Sequence, residues 1–133
     1  MVSKTINGWL HPGSFVKHAA IVASLVAAQA VADSAVNFAG SYDDPNHPNC
    51  LREIIMLDAI NAVVSGTDGT PACPLDGSGR EWKLLGKVDV DTILVDFTPK
   101  GGPKDLKGVW EPEPVPGIRW PDGNIWTAKQ IIE

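Results

Sequence analysis

Turn-forming residues recur every eight to twelve positions from residue 37 onward and divide this part of the chain into short segments. Ten of the eleven prolines lie at or after Pro45. Between the turns, β-branched and aromatic residues are common, and Ile93, Val95 and Phe97 alternate with other residues as in a strand with one buried face. This pattern predicts a mainly β region built from short antiparallel strands.

The candidate strands and turns of the β-region indicate the size and topology of its sheet. The sequence Pro121-Asp122-Gly123 lies between two apolar stretches and predicts a tight hairpin. A helical turn is expected over residues 128–132. We predict a small antiparallel barrel or curled sheet of five to seven strands, preceded by an N-terminal apolar α-helix. The candidate strands are residues 36–39, 51–57 continued by 59–65, 81–88, 91–97, 107–111, 118–120 and 124–127.

The N-terminal part of the chain has a different composition. No charged residue lies between Lys17 and Asp33, and residues 19–32 are rich in alanine without Gly or Pro, which favours a helix. Residues 1–32 carry two lysines and no acid, whereas residues 33–133 carry nine Lys/Arg and sixteen Asp/Glu. We therefore predict two parts, an apolar helical segment over residues 1–35 and an acidic β-domain over residues 36–133.

Three interpretations of the apolar segment compete. A basic start, an apolar stretch and the sequence Ala30-Val31-Ala32 fit a targeting peptide that is cleaved before Asp33. A stripe of small residues on one helical face is typical of a helix that docks closely on a neighbour in a membrane complex. A core helix of a soluble domain is the third interpretation. We expect a retained docking helix, whose small-residue stripe is Ala20, Ala23, Ala27 and Ala30.

Charge excludes one class of partner. The net charge of −5 and the concentration of acidic residues after residue 32 argue against a protein whose main role is to bind nucleic-acid phosphates. We expect no nucleic-acid partner.

Two cysteines, Cys50 and Cys73, are the only ones in the chain. Two cysteines alone do not supply the four ligands of a structural zinc site. They fit either a single disulfide, which requires an oxidising compartment, or two buried thiols.

Three loops contain polar residues that resemble functional motifs. Asp43, Asp44 and His47 are types of metal ligand, but their spacing does not match a calcium-binding loop, and the neighbouring prolines and asparagines favour a rigid structural loop. An enzyme that uses His47 with Asp43 or Asp44 is the weakest alternative. The other loop residues that we interpret as structural are Lys100, Gly101, Gly102, Asp122 and Gly123.

The loop around Lys100 lacks the spacing of a phosphate-binding loop, and its prolines remove the amide donors that such a loop needs. No acid–base pair, nucleophile motif or cofactor motif is recognisable in the sequence, so we expect neither catalytic nor metal-binding residues and predict that the chain is not an enzyme.

Four of the five tryptophans fall in the β-region: Trp82, Trp110, Trp120 and Trp126. A domain of this size needs large apolar residues for its core, so we predict that they are core residues. The alternative is that they line a ligand site or a docking surface.

Three stretches taken together, residues 40–52, 95–106 and 117–126, carry a family resemblance. They contain the sequences Gly-Ser-Tyr-Asp-Asp-Pro-Asn-His-Pro, Asp-Phe-Thr-Pro-Lys-Gly-Gly-Pro-Lys-Asp-Leu and Arg-Trp-Pro-Asp-Gly-Asn-Ile-Trp. The combination resembles a small β-rich domain family of cyanobacteria, algae and plants, and it is similar to accessory subunits at the edge of photosystem I in red-lineage algae. The resemblance covers residues 39–127 and implies a location at photosynthetic membranes, without supplying catalytic residues.

These observations together lead to one expected function and one alternative. We expect a non-catalytic structural or assembly subunit of a chloroplast thylakoid membrane complex, namely photosystem I with its light-harvesting antenna. Its partners are expected to be membrane protein subunits and the thylakoid membrane. We expect no cofactor of its own, with chlorophyll or carotenoid contacted through partners. The alternative is a soluble lumenal β-barrel that binds a small ligand after residues 1–32 are cleaved.

Overall fold

The short strands of this chain, each with one buried face, form a sheet that closes on itself. The computed structural model describes residues 36–130, in which eight antiparallel strands form a closed barrel. The prediction of a mainly β, antiparallel barrel is confirmed. The strands are β1 Gly40–Asp43, β2 Arg52–Met56, β3 Asn61–Asp68, β4 Arg80–Asp89, β5 Thr92–Val95, β6 Leu106–Glu111, β7 Gly117–Arg119 and β8 Ile125–Ala128, with a 3₁₀ turn at Thr98–Lys100.

Each strand pairs with the next one along the chain, and the last strand pairs with the first. Closure occurs where Tyr42 faces Ala128 and Asp43 faces Thr127 across β1 and β8. The predicted hairpin at Asp122 and Gly123 is confirmed, because β7 and β8 pair on either side of it. Closure leaves no unpaired strand edge in the barrel, so a partner must contact its outer face or its ends.

The predicted number of five to seven strands is wrong, because residues 36–130 form eight. Residues 51–57 and 59–65 were expected to continue one another, but a turn at Asp58 separates them into two antiparallel strands, β2 and β3. The Asp58 carboxylate accepts hydrogen bonds from the backbone N–H groups of Ile60 and Asn61. Such a side chain-to-backbone turn reverses the chain without Gly or Pro.

The structure also differs from the prediction at both ends of the described chain. The predicted strand over residues 36–39 is wrong, because these residues pair with no strand although Phe38 enters the core, and the first strand is Gly40–Asp43, which pairs with β2 and β8. At the other end, Ala128 completes β8 and the backbone N–H of Lys129 donates to Ser41 O at 2.9 Å, so the chain is not helical at 128–130. The remaining residues of the predicted turn, 131–133, lie outside the described residues.

The barrel interior is filled by its own side chains. The tryptophan prediction is confirmed, since Trp82, Trp120 and Trp126 belong to the core and Trp110 packs against it. The Tyr42 hydroxyl donates a hydrogen bond to Phe38 O, and burial raises the pKa of Tyr42 to about 12. The buried core consists of Phe38, Tyr42, Ile54, Ala62, Val64, Trp82, Leu84, Ile93, Val95, Phe97, Ile118, Trp120 and Trp126.

Candidate functional site

Three loops close one end of the barrel around a cavity of about 290 Å³. They are the loop after β1, the loop between β5 and β6, and the β7–β8 hairpin turn. Asp43 lies apart on the outer surface, where its carboxylate is 3.6 Å from the ammonium group of Lys129, and Gly123 does not line the cavity. The loop residues from the sequence prediction that the structure brings together here are Asp44, His47, Lys100, Gly101, Gly102 and Asp122.

A buried arginine lies at the centre of this barrel end. Arg52 is only 2% exposed, because its position in β2 directs its side chain into the barrel. Its Nε donates to Asp44 Oδ2 at 3.0 Å and its Nη2 to Asp68 Oδ1 at 3.1 Å. The guanidinium carbon lies 5.1 Å from the ring centre of Trp82 and 5.5 Å from that of Trp126, which are cation–π distances.

The remaining donors of Arg52 bind the backbone. Its Nη1 donates to the carbonyl oxygens of Leu51 at 2.8 Å and Thr67 at 2.6 Å. A buried charge is costly unless it is paired and hydrogen-bonded, and here the cation is compensated in both ways. Arg52 therefore joins β2 to the end of β3 and to the loop after β1.

Asp44 holds the first loop in place. Its Oδ1 accepts from the backbone N–H of Asn46 and from Nδ2 of Asn124, and its Oδ2 accepts from Arg52 and contacts His47 Nδ1 at 2.9 Å. Burial opposes ionisation of Asp44, but the Asn124 hydrogen bond, the Arg52 charge and the other donors outweigh burial and lower its pKa. Asp44 therefore connects the first loop to the β7–β8 turn, 80 residues away in sequence.

Asp68 holds the loop between β5 and β6 in place through Lys100. The ammonium group of Lys100 is 2.5 Å from Asp68 Oδ2 and 4.9 Å from the ring centre of Trp82. Burial opposes ionisation of Asp68, but the hydrogen bond and charge of Lys100, followed by the charge of Arg52, lower its pKa. Arg52, Lys100, Asp44 and Asp68 thus form a charge-balanced network that joins β2 and β3 to two loops, and Asn124 extends it to the β7–β8 turn.

The arrangement of these residues favours a structural role for the loops. His47 is close to Asp44, as a catalytic pair would require, but both oxygens of that carboxylate are also bound by Arg52, Asn124 or the backbone. Within the part of the chain that the structure describes, no group of three or more His, Cys, Asp or Glu residues is arranged to hold a metal ion.

We expect the free energy of unfolding to fall as the pH falls below about 4. The pKa values of Asp44 and Asp68 are lowered in the folded chain, so their stabilisation is present above the ordinary carboxyl pKa and is lost as these groups are protonated. Urea unfolding between pH 7 and pH 2.5 measures this effect. The variant Asp68→Asn should lose stability less steeply with acid, and an identical pH dependence in the variant and the wild type would contradict the assignment.

A disulfide fixes the neighbouring loop. Cys50 and Cys73 are joined, and both are buried. Beside them, the Thr67 hydroxyl accepts from the backbone N–H of Leu51 and donates to Gly77 O at 2.7 Å. The disulfide therefore connects the residues just before β2 to the long loop between β3 and β4.

The outer surface of β2–β5 carries a group of exposed aliphatic side chains, which we call the apolar face. Strand register aligns Ile55, Val63 and Leu85 in one row across β2, β3 and β4. Ile55 is 50% exposed and Leu85 is 72% exposed. The apolar face consists of the exposed residues Ile55, Leu57, Ile60, Leu85 and Leu94 and the half-buried Val63, with Leu57 and Ile60 in the β2–β3 turn.

Sequence reasoning missed the apolar face and the buried network. Adjacent apolar pairs, such as Ile54–Ile55 and Leu84–Leu85, are the signal that was present, because alternation in a strand must direct one member of each pair outward. No comparable signal identified the partners of Arg52.

The predicted docking helix and its alanines Ala20, Ala23, Ala27 and Ala30 lie outside the described residues, so the two-part division of the chain stays a prediction. Among residues 36–130, no helix has the length and apolar character needed to cross a membrane. Comparison of the chain with protein-family models, curated proteins and solved structures finds no match.

Proposed function

We propose that this chain is a non-catalytic structural or assembly subunit of a thylakoid membrane complex, namely photosystem I with its light-harvesting antenna. The observation that carries the docking role is the apolar face, which leaves several large aliphatic side chains on the outside of a small barrel. The resemblance of the three loops supports the choice of complex.

The apolar face has the composition of a protein interface. Contiguous exposed apolar patches on small domains mark interaction sites. Lys83 and Lys87 flank Leu85 on the same face of β4, and Glu81 of β4 and Glu53 of β2 lie on this outer face as well, so the border of the apolar face carries both signs of charge. A matching partner surface has an apolar centre and a charged border, because interfaces combine a desolvated centre with a polar rim.

The buried network provides rigidity for this role. A docking subunit gains affinity when its surface is already ordered, because less conformational entropy is lost on binding. The Arg52 network and the disulfide fix loops at one end of the barrel, while the packed core fixes the strands that display the apolar face. Chlorophyll or carotenoid at the rim of a partner would meet the chain through this same apolar face.

The test is co-purification of the tagged full chain with photosystem I from membranes solubilised in a mild detergent. We expect stoichiometric recovery of the wild type and at least about a tenfold loss of bound chain for the double variant Ile55→Lys/Leu85→Lys, because two charges would be buried in an apolar contact. Both side chains are exposed, so the fold should persist, which circular dichroism verifies.

Leu75→Lys is the matched control, because Leu75 is 92% exposed but lies in the loop between β3 and β4, away from the apolar face. Recovery of Leu75→Lys should equal that of the wild type. Failure of the wild-type chain to co-purify, or equal recovery of the double variant, would refute the proposed docking. Recovery of a free, soluble chain that begins at Asp33 would favour the lumenal ligand-binding alternative.

A further inference from the structure

A groove lies on the opposite side of the barrel from the apolar face. It has a volume of about 590 Å³ and runs over the outer surface of β8, between the loop after β1 and the loop after β6. In the closed strand order, β8 lies across the barrel from β3 and β4, which carry the centre of the apolar face. The groove and the apolar face are therefore separate surfaces.

The floor of the groove is formed by the outer face of β8. Ile125 and Thr127 lie two positions apart on this face and both line the groove, whereas Trp126 between them points into the core. The floor therefore presents one exposed aliphatic side chain beside a threonine.

The walls of the groove are mostly apolar. Pro45 and Pro48 line one side, and Pro114 and Val115 line the other. Pro45 and Pro48 lie in the turns that follow β1, and Pro114 lies in the bend between β6 and β7. Each proline ring fixes φ at its position and so restricts the motion of these walls. The groove is thus a preformed, mostly apolar channel between two turns.

The rim of the groove is acidic. Asp43, Glu111 and Glu113 line the groove, and its lining contains no Lys or Arg. Glu111 pairs with Arg119 outside the groove and Asp43 lies 3.6 Å from Lys129, while Glu113 has no ion pair within residues 36–130. A partner segment with positive charge would complement this rim.

We propose that the groove binds a short segment of a second partner protein that carries both apolar side chains and Lys or Arg. The apolar residues would cover Ile125 and Val115, and a cation would reach Glu113, the rim carboxylate that has no ion pair within residues 36–130. With two docking surfaces on opposite sides, the chain would bridge two proteins. The groove binds its segment whichever complex the apolar face occupies.

The probe is a fluorescent octapeptide of alternating Leu and Lys, titrated against the full chain in mild detergent and followed by anisotropy. Two control peptides carry alternating Leu and Glu, or alternating Gly and Lys. We expect saturable binding of the Leu/Lys peptide, no binding of the Leu/Glu peptide and at least about tenfold weaker binding of the Gly/Lys peptide, because only the first supplies both features.

Charge reversal locates the binding site. Glu113→Lys should weaken binding of the Leu/Lys peptide about tenfold, whereas Glu53→Lys, on the outer surface of β2, should change it less than about twofold. Absence of saturable binding, equal binding of the Gly/Lys peptide, or equal effects of the two charge reversals would overturn the proposal. Co-purification through the apolar face is measured separately, so failure of one surface leaves the other result intact.

Discussion

Arg52→Met is expected to lower the free energy of unfolding by about 3–5 kcal/mol. The substitution keeps an unbranched side chain of similar length but removes the cation that pairs with Asp44 and Asp68. Asp44 would then remain buried with a charge compensated only by neutral donors and His47. Urea unfolding at pH 7, extrapolated linearly to water, measures the loss.

Arg119→Met is the matched control for this prediction. Arg119 also lies on a strand and pairs with a carboxylate, that of Glu111, but both side chains are substantially exposed. An exposed ion pair contributes at most about 1 kcal/mol, so this variant should remain close to the wild type. Equal effects of the two substitutions would show that the Arg52 network does not stabilise the barrel end.

Removal of the disulfide is the second change with a large expected effect. Cys50→Ala/Cys73→Ala should lose about 3 kcal/mol of stability, because a cross-link spanning 23 positions restricts the unfolded chain. The substitution also frees the loop between β3 and β4 from the start of β2. Urea unfolding of the oxidised wild type and the double variant measures the difference.

Reduction of the wild type provides an internal control for the disulfide. Dithiothreitol should lower the stability of the wild type to about that of the double variant and leave the double variant unchanged. A wild type that is insensitive to the reductant, or equal stability of the oxidised wild type and the double variant, would contradict a stabilising disulfide.

The predictable part of the fold is the part that depends on local patterns. The β7–β8 hairpin follows from Asp122-Gly123 between apolar stretches, and the strand at β5 follows from the alternation of Ile93, Val95 and Phe97. Burial of Trp82, Trp120 and Trp126 follows from the need of a small domain for large core residues. The first two inferences use residues close together in sequence, and the third uses only composition and domain size.

The sequence alone misassigns both ends of β3. The β2–β3 turn depends on Asp58 alone, without Gly or Pro, so it could not be separated from the flanking apolar residues. The candidate strand over residues 59–65 ends before Gly66, but Gly66 lies within β3, where a Cβ would come within 2.2 Å of Leu51 O and 2.7 Å of Trp82 Cζ2. Its requirement for glycine arises from tertiary packing, which sequence spacing does not show.

The barrel-end network could not be predicted for the same reason. Asp44, Asp68 and Asn124 are far apart in sequence and meet only when the barrel closes. The sequence predicts structural loops at Asp44, His47 and Lys100, and in the structure Asp44 and Lys100 form ion pairs with Arg52 and Asp68. The apolar face, by contrast, follows from adjacent apolar pairs once the strands and their inward positions are known.

We propose that the apolar face docks on a membrane subunit of photosystem I. Site-specific photo-cross-linking tests this docking most directly. A photoreactive amino acid is placed at position 85 or, as a control, at position 75, and irradiated membranes are analysed by mass spectrometry. We predict cross-links from position 85 to a photosystem I or antenna subunit and none from position 75. Absence of cross-links from position 85, or the same products from both positions, would contradict the claim.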